Sequence, residues 1–312
     1  MEGKDVVVTG GAGFIGSHLV EELAEGNSVK VIDDFSAGKE EWVPEEVKVE
    51  RVDVRDYKAL EKAVDEPDVI FHLAASCHTR KTSAGWDDPV FDAEVNAIGT
   101  LNVLELVRRE ELGSRVLFAS SAGIYGNPQY APMDEEHPKN PISPYGVHKF
   151  AGEKHVESFV EEQGLDASSV RIFNVFGPRQ PRYVMYDFLK KLQDDPTELE
   201  VLGSGRQTRD YCYIDDAVQG LITAAENGEP GEAYNMSGEN VISIGDLAEL
   251  MVEMVDVDAD IHYTEESWSG DIKRLEADIS KLKSIGFEPE VGLREGLENF
   301  IEYFEETEGE IS

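Results

Sequence analysis

The sequence predicts an α/β fold, with a doubly wound parallel sheet followed by a second, smaller α/β domain. In the first half of the chain, short continuous apolar runs alternate with segments of helical periodicity. Strands that are apolar on both faces indicate a parallel sheet covered by helices on each side. After residue 177 this alternation loosens, and 312 residues fit two domains of about 150 residues each. We expect domains over residues 1–177 and 178–312, with the chain returning to the first domain around residues 210–237.

The expected elements follow one another in a regular order. The predicted strands cover residues 6–8, 29–33, 47–54, 69–73, 116–119 and 170–175. The predicted helices cover residues 14–24, 56–64, 89–109, 144–163, 244–255 and 293–306. The strands are short and rich in Val, Ile and Phe, whereas the helices repeat apolar residues every three or four positions. Strand–helix units of this kind bring their strands together in one parallel sheet.

The charge balance is strongly acidic, with 65 Asp and Glu against 28 Lys and Arg and a net charge of -37. Such a chain lacks the cations that bind a phosphate backbone, so the composition argues against nucleic acid and anionic membranes as partners. The acidic residues are spread as short pairs along the whole chain and form no acidic tail. We expect a protein adapted to high salt, where self-repulsion is screened. An ordinary acidic cytosolic protein is the alternative.

Cys77 and Cys212 are too few for a disulfide framework and fit a reducing compartment. The chain begins with a predicted strand instead of a signal peptide, and no apolar run approaches the roughly 20 residues that span a bilayer. We therefore expect a cytoplasmic protein.

A glycine-rich turn lies between the first predicted strand and the first predicted helix. Gly10, Gly13 and Gly16 have the spacing that permits a tight turn, a close backbone approach to a pyrophosphate and close helix–sheet packing. The helix then begins at Phe14 and Ile15, whose backbone N–H groups are available to phosphates. In this strand–turn–helix context the pattern predicts a dinucleotide site.

The choice of dinucleotide depends on the end of the next strand. Asp33 lies 23 residues beyond Gly10, where a carboxylate binds the adenosine ribose hydroxyls and repels a 2′-phosphate. Asp34 adds to that repulsion, so we expect NAD in preference to NADP. Ser36 and Gly38, in the loop that follows, are included in the predicted cofactor site.

Further strand ends converge on the same crevice, because ligands in such sheets bind beyond the carboxyl ends of the strands. Asp53 and Val54 follow the third strand and are expected to face the adenine, although a solvent-exposed carboxylate is the alternative. The fourth strand ends in small side chains that leave room for a flat ligand, Leu73, Ala74 and Ala75. Ala119, near the end of the fifth strand, is also included.

Three residues form the predicted catalytic set. Tyr145 and Lys149 are four positions apart on one predicted helix face, and Ser121 follows the strand that should end beside them. A phenol titrates near 10, but a neighbouring ammonium and an oxidised nicotinamide both favour the phenolate. Ser121 is placed to hydrogen-bond the reacting oxygen.

With these motifs the chain resembles the extended short-chain dehydrogenases/reductases of the nucleotide-sugar epimerase/dehydratase kind. The matching blocks cover residues 9–16, 72–75, 96–99, 120–126, 145–149, 171–179, 209–216 and 277–281. The resemblance implies a Rossmann core, tightly held NAD, Tyr145 as base, Lys149 on the nicotinamide ribose and Ser121 as hydrogen-bond partner. It also implies a homodimer formed through helices 89–109 and 144–163.

The resemblance extends to residues outside the catalytic set. Asn96 is expected to support the active-site backbone or water network, Asn174 to contact the substrate, and Arg209 to bind a nucleotide diphosphate. An Arg suits that role because its planar fork matches phosphate oxygens. An ion pair with neighbouring acids is the alternative for Arg209 and Arg206. Three polar residues after the fourth strand either line the sugar pocket or form a solvated loop, His78, Arg80 and Lys81.

The segment after Ser121 discriminates among reactions of the resembled family. In its 4,6-dehydratases the next two positions are Asp and Glu. At the second of these positions its decarboxylases have a Glu, and its 3,5-epimerases have a Cys. This chain has Ala122 and Gly123 there, which carry no proton-transferring group. We expect a 4-epimerase of the UDP-glucose/UDP-galactose type, with no metal. A uronate 4-epimerase, a dehydratase with relocated acids and a non-catalytic NAD-binding regulator remain alternatives.

Two departures from the resembled pattern concern the nucleotide. An Arg that often precedes a Gly-Asp pair is absent near Gly270, where the chain has Trp268 and Ser269, and the nearest Arg is Arg274. The segment between Arg179 and Tyr186 is also short. The diphosphate or the base is therefore expected to be held differently, and the base need not be uracil.

Overall fold

A seven-stranded parallel sheet with helices on both faces forms the centre of the molecule. The computed structural model describes residues 1–76, 85–265 and 272–311. The strands are β1 (Asp5–Thr9), β2 (Ser28–Asp33), β3 (Lys48–Arg51), β4 (Val69–His72), β5 (Arg115–Ser121), β6 (Ala167–Ile172), β7 (Asn174–Phe176), β8 (Glu198–Val201), β9 (Thr208–Tyr213), β10 (Ala233–Met236), β11 (Asn240–Ser243), β12 (Asp260–Tyr263) and β13 (Arg274–Leu275).

The helices alternate with these strands. They are α1 (Phe14–Ala24), α2 (Tyr57–Ala63), α3 (Pro89–Ala93), α4 (Thr100–Arg109), α5 (Pro144–Gln163), α6 (Val184–Asp194), α7 (Ile214–Asn227), α8 (Ile244–Met254), α9 (Ser280–Lys283) and α10 (Leu293–Glu308). None of the helices within the described ranges is both long and apolar enough to cross a membrane.

The order of the main sheet is β10-β6-β5-β4-β1-β2-β3, so the chain winds outward in two directions from β1 and β4. Every pairing in this sheet is parallel. Thr9 and His72 are register partners at the carboxyl ends of β1 and β4. The crevice beyond that point is where doubly wound sheets bind their ligands.

Side chains of the central strands point alternately to two apolar layers, as expected for strands buried on both faces. Val6 and Val8 pack with Leu19 of α1 on one face of the sheet. Val7 packs on the other face, with Leu104 of α4. The doubly wound α/β fold that the apolar runs predict is therefore confirmed.

The predicted bounds of α1 and α5 are confirmed. The predicted helix over 89–109 consists of α3, a π-helical segment over Glu94–Gly99 and α4. The predicted strand over 170–175 is wrong as one element, because β6 ends at Ile172 and β7 leaves the main sheet to pair with β9. β3 ends at Arg51, because Asp53 begins a turn in which its carbonyl accepts the Asp56 N–H.

Beyond β6 the chain forms two smaller sheets. One contains β11, β9 and β13 with β7 beside β9, and the other pairs β8 with β12. β10 lies in the main sheet next to β6. Phe188 of α6, Leu247 of α8 and Phe300 of α10 belong to the same apolar cluster as Val6. This part of the chain therefore shares a continuous core with one face of the main sheet.

Candidate active site

Two glycines of the turn after β1 are required by close backbone packing. Gly10 has a φ of +72°, and a Cβ there would lie 2.6 Å from the backbone nitrogen of Ala74. A Cβ on Gly16 would lie 2.1 Å from the Gly10 carbonyl oxygen. At Gly13 a Cβ would meet only the Gly10 oxygen, at 3.3 Å, among the atoms of the described residues. The outer side of Gly13 is therefore open to a ligand that approaches the backbone.

Helix α1 presents its N-terminus to this turn. Gly13 is its N-cap residue and has no side chain to occupy the first-turn amides, while the Ser17 N–H makes the first helical bond to the Gly13 carbonyl. The N–H groups of Phe14, Ile15 and Gly16 precede that bond, so they have no partner within the helix. Together with the positive end of the helix dipole they form the arrangement that binds a pyrophosphate.

The acidic residue at the end of β2, Asp33, is hydrogen-bonded to the glycine turn. Asp33 accepts hydrogen bonds from the Ala12 N–H at 3.0 Å and the Phe35 N–H at 2.8 Å, and burial raises its pKa. A carboxylate oxygen accepts more than one hydrogen bond, so Asp33 keeps acceptor capacity for ribose hydroxyls. A Cβ on Gly38 would lie 2.8 Å from Ala12. This loop therefore holds the turn in place.

The neighbouring acid is exposed and adds negative charge at the same edge. Asp34 is exposed and accepts the Ser36 N–H at 2.8 Å. A 2′-phosphate on a cofactor ribose would meet both Asp33 and Asp34, which fits NAD and disfavours its phosphorylated form.

The Asp53 carboxylate after β3 is not simply exposed to solvent. Asp53 is half-buried and bound by the Arg55 guanidinium, with Nε 2.9 Å from Oδ2, and this hydrogen bonding lowers the Asp53 pKa. Arg55 also pairs with Glu94 at 3.0 Å. Val54 is buried, and its side chain would lie 2.7 Å from a Cβ on Gly99 of the π-helical segment.

The end of β4 is held by a buried polar network that the sequence analysis did not identify. His72 Nδ1 lies 2.7 Å from the Thr9 hydroxyl and Nε2 lies 3.1 Å from the Thr100 hydroxyl. Thr100 donates its own proton to the Asn96 carbonyl, which makes Nε2 the protonated nitrogen of His72. Burial lowers the pKa of His72 to about 3, and the charge of Lys149 contributes. His72 is therefore neutral.

Asn96 supports the loop that follows β4. Its side-chain amide accepts the Ser76 N–H at 3.1 Å and donates to the Ser76 carbonyl at 2.9 Å. Asn96 is completely buried, and through these two bonds it holds the backbone that directly follows Leu73, Ala74 and Ala75. Those three residues are half-buried at the crevice.

The predicted catalytic residues lie together at the end of β5. Lys149 is 2% exposed and donates a 2.9 Å hydrogen bond from Nζ to the Ala119 carbonyl. Its Nζ lies 5.9 Å from the centre of the Tyr145 ring. Ser121 accepts the Gly123 N–H at 3.1 Å. A Cβ on Gly123 would lie 3.4 Å from Ser121 Oγ and 3.7 Å from Tyr145 Cδ1, so a side chain at this position would contact both.

The start of α5 explains how the sequence places Tyr145 there. Ser143 caps the helix by accepting the Gly146 N–H at 3.1 Å, and Pro144 occupies a first-turn position that needs no N–H donor. A Cβ on Gly146 would lie 2.4 Å from the Gly123 carbonyl oxygen. Only a glycine at position 146 lets the first turn of α5 pack directly on the Ser121–Gly123 segment.

A second buried network extends from α5 into the sheet, and the sequence analysis did not identify it either. Glu153 of α5 accepts the Ser120 hydroxyl at 2.5 Å and forms a buried ion pair with Arg171 of β6, at 2.9 Å. Arg171 also donates to the Tyr125 hydroxyl at 2.9 Å, and Tyr125 donates to Asn235 at 2.6 Å. The available signal was the position of Glu153, four residues after Lys149 on the same helix face.

A buried Asp–His pair lies on the flank of α5. Asp92, which is 1% exposed, is 2.6 Å from Nδ1 of His148, three residues after Tyr145. This bond joins α3 to the first turns of α5.

The predicted substrate residues are brought together by the second part of the chain. Asn174 on β7 donates to the Asp210 carbonyl at 3.0 Å, and β7 pairs with β9, which carries Arg209. Arg209 Nη1 donates to the carbonyls of Thr208 at 2.9 Å and Ile272 at 2.7 Å, so carbonyl oxygens orient the guanidinium.

Other cations considered for the substrate are placed differently. Arg206 is exposed, and Arg274 pairs with Glu276 at 2.8 Å. Arg179, which begins the short segment before Tyr186, pairs with Glu21 of α1. Several residues named in the sequence analysis lie outside the described residues. They are the sugar-pocket candidates His78, Arg80 and Lys81, together with Cys77, Trp268 and Ser269. Within the described part of the chain, no group of three or more His, Cys, Asp or Glu side chains is arranged to hold a metal ion.

Comparisons with known proteins agree with this geometry. The model of the NAD dependent epimerase/dehydratase family matches residues 6–237. A putative UDP-glucose 4-epimerase of Methanocaldococcus jannaschii is 32% identical over 306 residues, which cover 96% of this chain and 97% of that protein. UDP-glucuronic acid decarboxylase 1 of Xenopus tropicalis is 35% identical over 312 residues, which cover 96% of this chain and 72% of that protein.

Solved structures extend the likeness to three dimensions. The crystal structure of a UDP-glucose 4-epimerase from Thermotoga maritima, with UDP-glucose, matches with a TM-score of 0.89 at 34% sequence identity. The match covers 97% of this chain and 99% of that one. The similarity therefore spans both the sheet with the glycine turn and the smaller sheets around Arg209.

Proposed function

The chain belongs to the NAD dependent epimerase/dehydratase family, and within that family we propose that it is a UDP-hexose 4-epimerase of the UDP-glucose/UDP-galactose type. The family's enzymes depend on NAD, and the open backbone at Gly13, the α1 N-terminus and Asp33 fit that cofactor. The observation that carries the 4-epimerase proposal is Gly123, which bears no side chain at a position where one would contact both Ser121 and Tyr145.

The position of Gly123 bears on the choice of reaction. A dehydratase or decarboxylase of the resembled kind needs an acidic side chain beside its hydroxyl residue, to move a second proton. Ala122 and Gly123 supply none, and Ala122 is buried. What the set retains is a phenol, an ammonium and a hydroxyl, which suffice for reversible oxidation at a single carbon. The absence of a side chain at Gly123 also leaves room for a keto sugar to turn over, so that either face can be turned toward the cofactor.

In the proposed reaction, Gly13, the α1 N-terminus and Asp33 would hold NAD, which would supply reversible hydride transfer at C4 of the sugar. Tyr145 removes the proton of the 4-hydroxyl and later gives it back to the 4-keto oxygen. Lys149 stabilises the phenolate and is oriented by the Ala119 carbonyl, while Ser121 hydrogen-bonds the sugar oxygen. The hydride and the proton both return to the sugar, so the reaction consumes no external oxidant.

The remaining assignments belong to the same proposal. Residues 1–177 hold NAD, and residues 178–312 hold most of the nucleotide sugar, with Arg209 on the diphosphate and Asn174 on the substrate. A homodimer is proposed through the outer surface of α3 to α5, where three apolar side chains are exposed, Val90, Ile98 and Val147.

The test is turnover by the purified protein at high KCl without added NAD. UDP-galactose should be converted to UDP-glucose, and a sample of the denatured protein should release NAD. Tyr145→Phe should abolish turnover while NAD remains bound. Failure to interconvert any UDP- or dTDP-hexose would reject the epimerase proposal.

UDP-glucuronate belongs in the same substrate panel because a relative at 35% identity is a UDP-glucuronic acid decarboxylase. Release of CO₂ would show that decarboxylation proceeds without an acid at position 123. Conversion to UDP-galacturonate would move the proposal to a uronate 4-epimerase.

A further inference from the structure

We infer that Glu153 is a positioning residue for the reaction: together with Ser120 and Arg171 it sets the register between catalytic helix α5 and the end of β5. The inference rests on the proposed roles of Ser121, Tyr145 and Lys149. Two of these groups come from α5 and one from β5, so their relative placement depends on how this helix lies against this strand.

Three side chains form a row along one face of α5, four residues apart. They are Tyr145, Lys149 and Glu153, of which the last two are 2% and 1% exposed. Lys149 donates to the carbonyl of Ala119, and Glu153 accepts the hydroxyl of Ser120 at 2.5 Å. Two successive residues of β5 are thus bonded to two successive turns of the helix.

The residue that follows this pair on β5 is Ser121. Gly146 packs on Gly123, and Lys149 bonds the helix to the Ala119 carbonyl. The additional bond from Ser120 to Glu153 further restricts how the helix can shift, and so helps to define where Tyr145 lies relative to Ser121. Because proton transfer requires hydrogen-bond geometry, a small misplacement of these two groups lowers the rate.

The Glu153 carboxylate is held rigidly from its other side. Arg171 donates Nε to Oε1 at 3.0 Å and Nη2 to Oε2 at 2.9 Å. The remaining guanidinium nitrogen donates to the Tyr125 hydroxyl at 2.9 Å and the Glu135 carbonyl at 3.1 Å. A two-point Arg–carboxylate contact fixes orientation as well as distance.

Stability alone does not account for this pair. Replacement of a buried ion pair by apolar residues of similar size is often neutral or stabilising, because two charges no longer have to be desolvated. A geometric role in the catalytic site gives a reason for the charges that packing does not supply.

The test compares four variants of the protein. Glu153→Met with Arg171→Met replaces the whole pair by apolar side chains, and Ser120→Ala removes only its bond to β5. Glu157→Gln is the matched control, because Glu157 is a half-exposed residue of α5 that pairs with Lys154 outside this network. The double variant and Ser120→Ala should each lower kcat at least tenfold, with KM for the nucleotide sugar changed less than threefold. Adding Ser120→Ala to the double variant should produce no further loss.

Amide hydrogen exchange provides a readout that does not depend on the substrate. Exchange over residues 119–125 should increase in the double variant and in Ser120→Ala, while exchange over β1 stays as in the parent protein. Unchanged kcat in both variants, or unchanged exchange over residues 119–125, would overturn the inference.

The two proposals fail in different ways. An inactive parent protein on every nucleotide sugar would reject the proposed function, and the exchange measurement would still decide the role of Glu153. A positioning role would also be contradicted if kcat fell only in proportion to the melting temperature and Glu157→Gln showed the same two losses.

Discussion

The Lys149 ammonium lies 5.9 Å from the centre of the Tyr145 ring, one helical turn away on α5. A cation at this distance stabilises a phenolate by Coulomb attraction that burial strengthens, since Lys149 is 2% exposed. Its hydrogen bond to the Ala119 carbonyl keeps the ammonium in place. The proposed base and the ammonium proposed to activate it therefore form one preassembled unit.

Lys149→Met should lower kcat by about 100-fold or more, the range associated with general acid–base catalysis. The Met side chain retains most of the volume but neither the charge nor the hydrogen-bond donor. Without the cation the phenolate of Tyr145 forms only at higher pH, so the rise of activity with pH should shift to higher pH. Steady-state rates between pH 6 and 10 measure both effects. Lys154→Met, at an exposed site on the same helix, is the control and should leave the profile unchanged. A Lys149→Met rate within threefold of the parent would contradict this role.

Gly123→Ala probes the space between Ser121 and Tyr145. The new Cβ would lie 3.4 Å and 3.7 Å from their nearest atoms, close to ordinary contact, so the protein should fold and bind NAD as before. The methyl group would fill room that the keto sugar needs when it turns over. We expect epimerisation to fall by about tenfold, roughly the discrimination of one methyl-sized group in a pocket. NAD binding measured by fluorescence serves as the control, and an unaltered rate would show that the space is not used.

Gly16→Ala should destabilise the glycine turn. The added Cβ would lie 2.1 Å from the Gly10 carbonyl oxygen, so the turn or the helix must move. Overpacking of this kind costs about 1–3 kcal/mol of unfolding free energy, which urea denaturation resolves. NAD affinity should fall as well. The matched control is Gly113→Ala, because a Cβ at this exposed residue meets no described atom within 4 Å. Equal stability of the two variants would exclude the packing argument.

The elements of residues 1–177 could be predicted because the sequence patterns that determine them are local. The glycine turn, the cap of α5 at Ser143 and Pro144 and the apolar runs of the strands lie within a few residues of what they determine. The predicted single strand over 170–175 was wrong for the same reason, because the break between β6 and β7 depends on pairing with residues of β9 that are 37 positions away.

The buried polar networks could not be predicted for the same physical reason. His72 lies in an apolar run, and its partners Thr9 and Thr100 are 63 and 28 residues away. Arg171 and Glu153 are on different elements, and nothing in either local pattern indicates that they meet. Asp53 is an intermediate case, since its partner Arg55 is only two residues away and was visible in the sequence.

The pH dependence of stability should contain two opposing terms. The pKa of His72 is lowered from 6.5 to about 3, so between these values the unfolded chain binds the extra proton and stability increases with pH. The pKa of Asp210 is raised from 3.8 to about 6 by burial, so in that interval the folded protein binds the extra proton and stability decreases with pH.

Each term has a slope of up to about 1.4 kcal/mol per pH unit, and across roughly pH 4 to 6 they should largely cancel. His72→Gln should therefore make the unfolding free energy fall more steeply with rising pH than in the parent. Asp210→Asn should make it rise more steeply. Urea denaturation at pH 4, 5 and 6 measures both slopes, and the same slope in all three proteins would contradict the assignment.

The acidic surface predicts that the fold requires salt. With a net charge of -37, the 28 Lys and Arg cannot neutralise the carboxylates, and self-repulsion favours unfolding unless it is screened. The screening length is about 10 Å at 0.1 M salt and about 3 Å at 1 M. We expect the melting temperature to be clearly higher in 3 M than in 0.1 M KCl.

Helix α10 shows where the repulsion acts and provides a matched pair of variants. Its last turn contains Glu305, Glu306 and Glu308 and no basic residue, whereas Glu295 lies in its first turn. Carboxylates oppose the helix dipole at the C-terminus and complement it at the N-terminus, by about 0.3–1 kcal/mol at low ionic strength. Glu306→Gln should therefore raise stability in 0.1 M KCl and have little effect in 3 M, while Glu295→Gln should lower it in dilute salt. Melting no earlier in 0.1 M than in 3 M KCl, or equal effects of the two substitutions, would show that surface charge does not limit this fold.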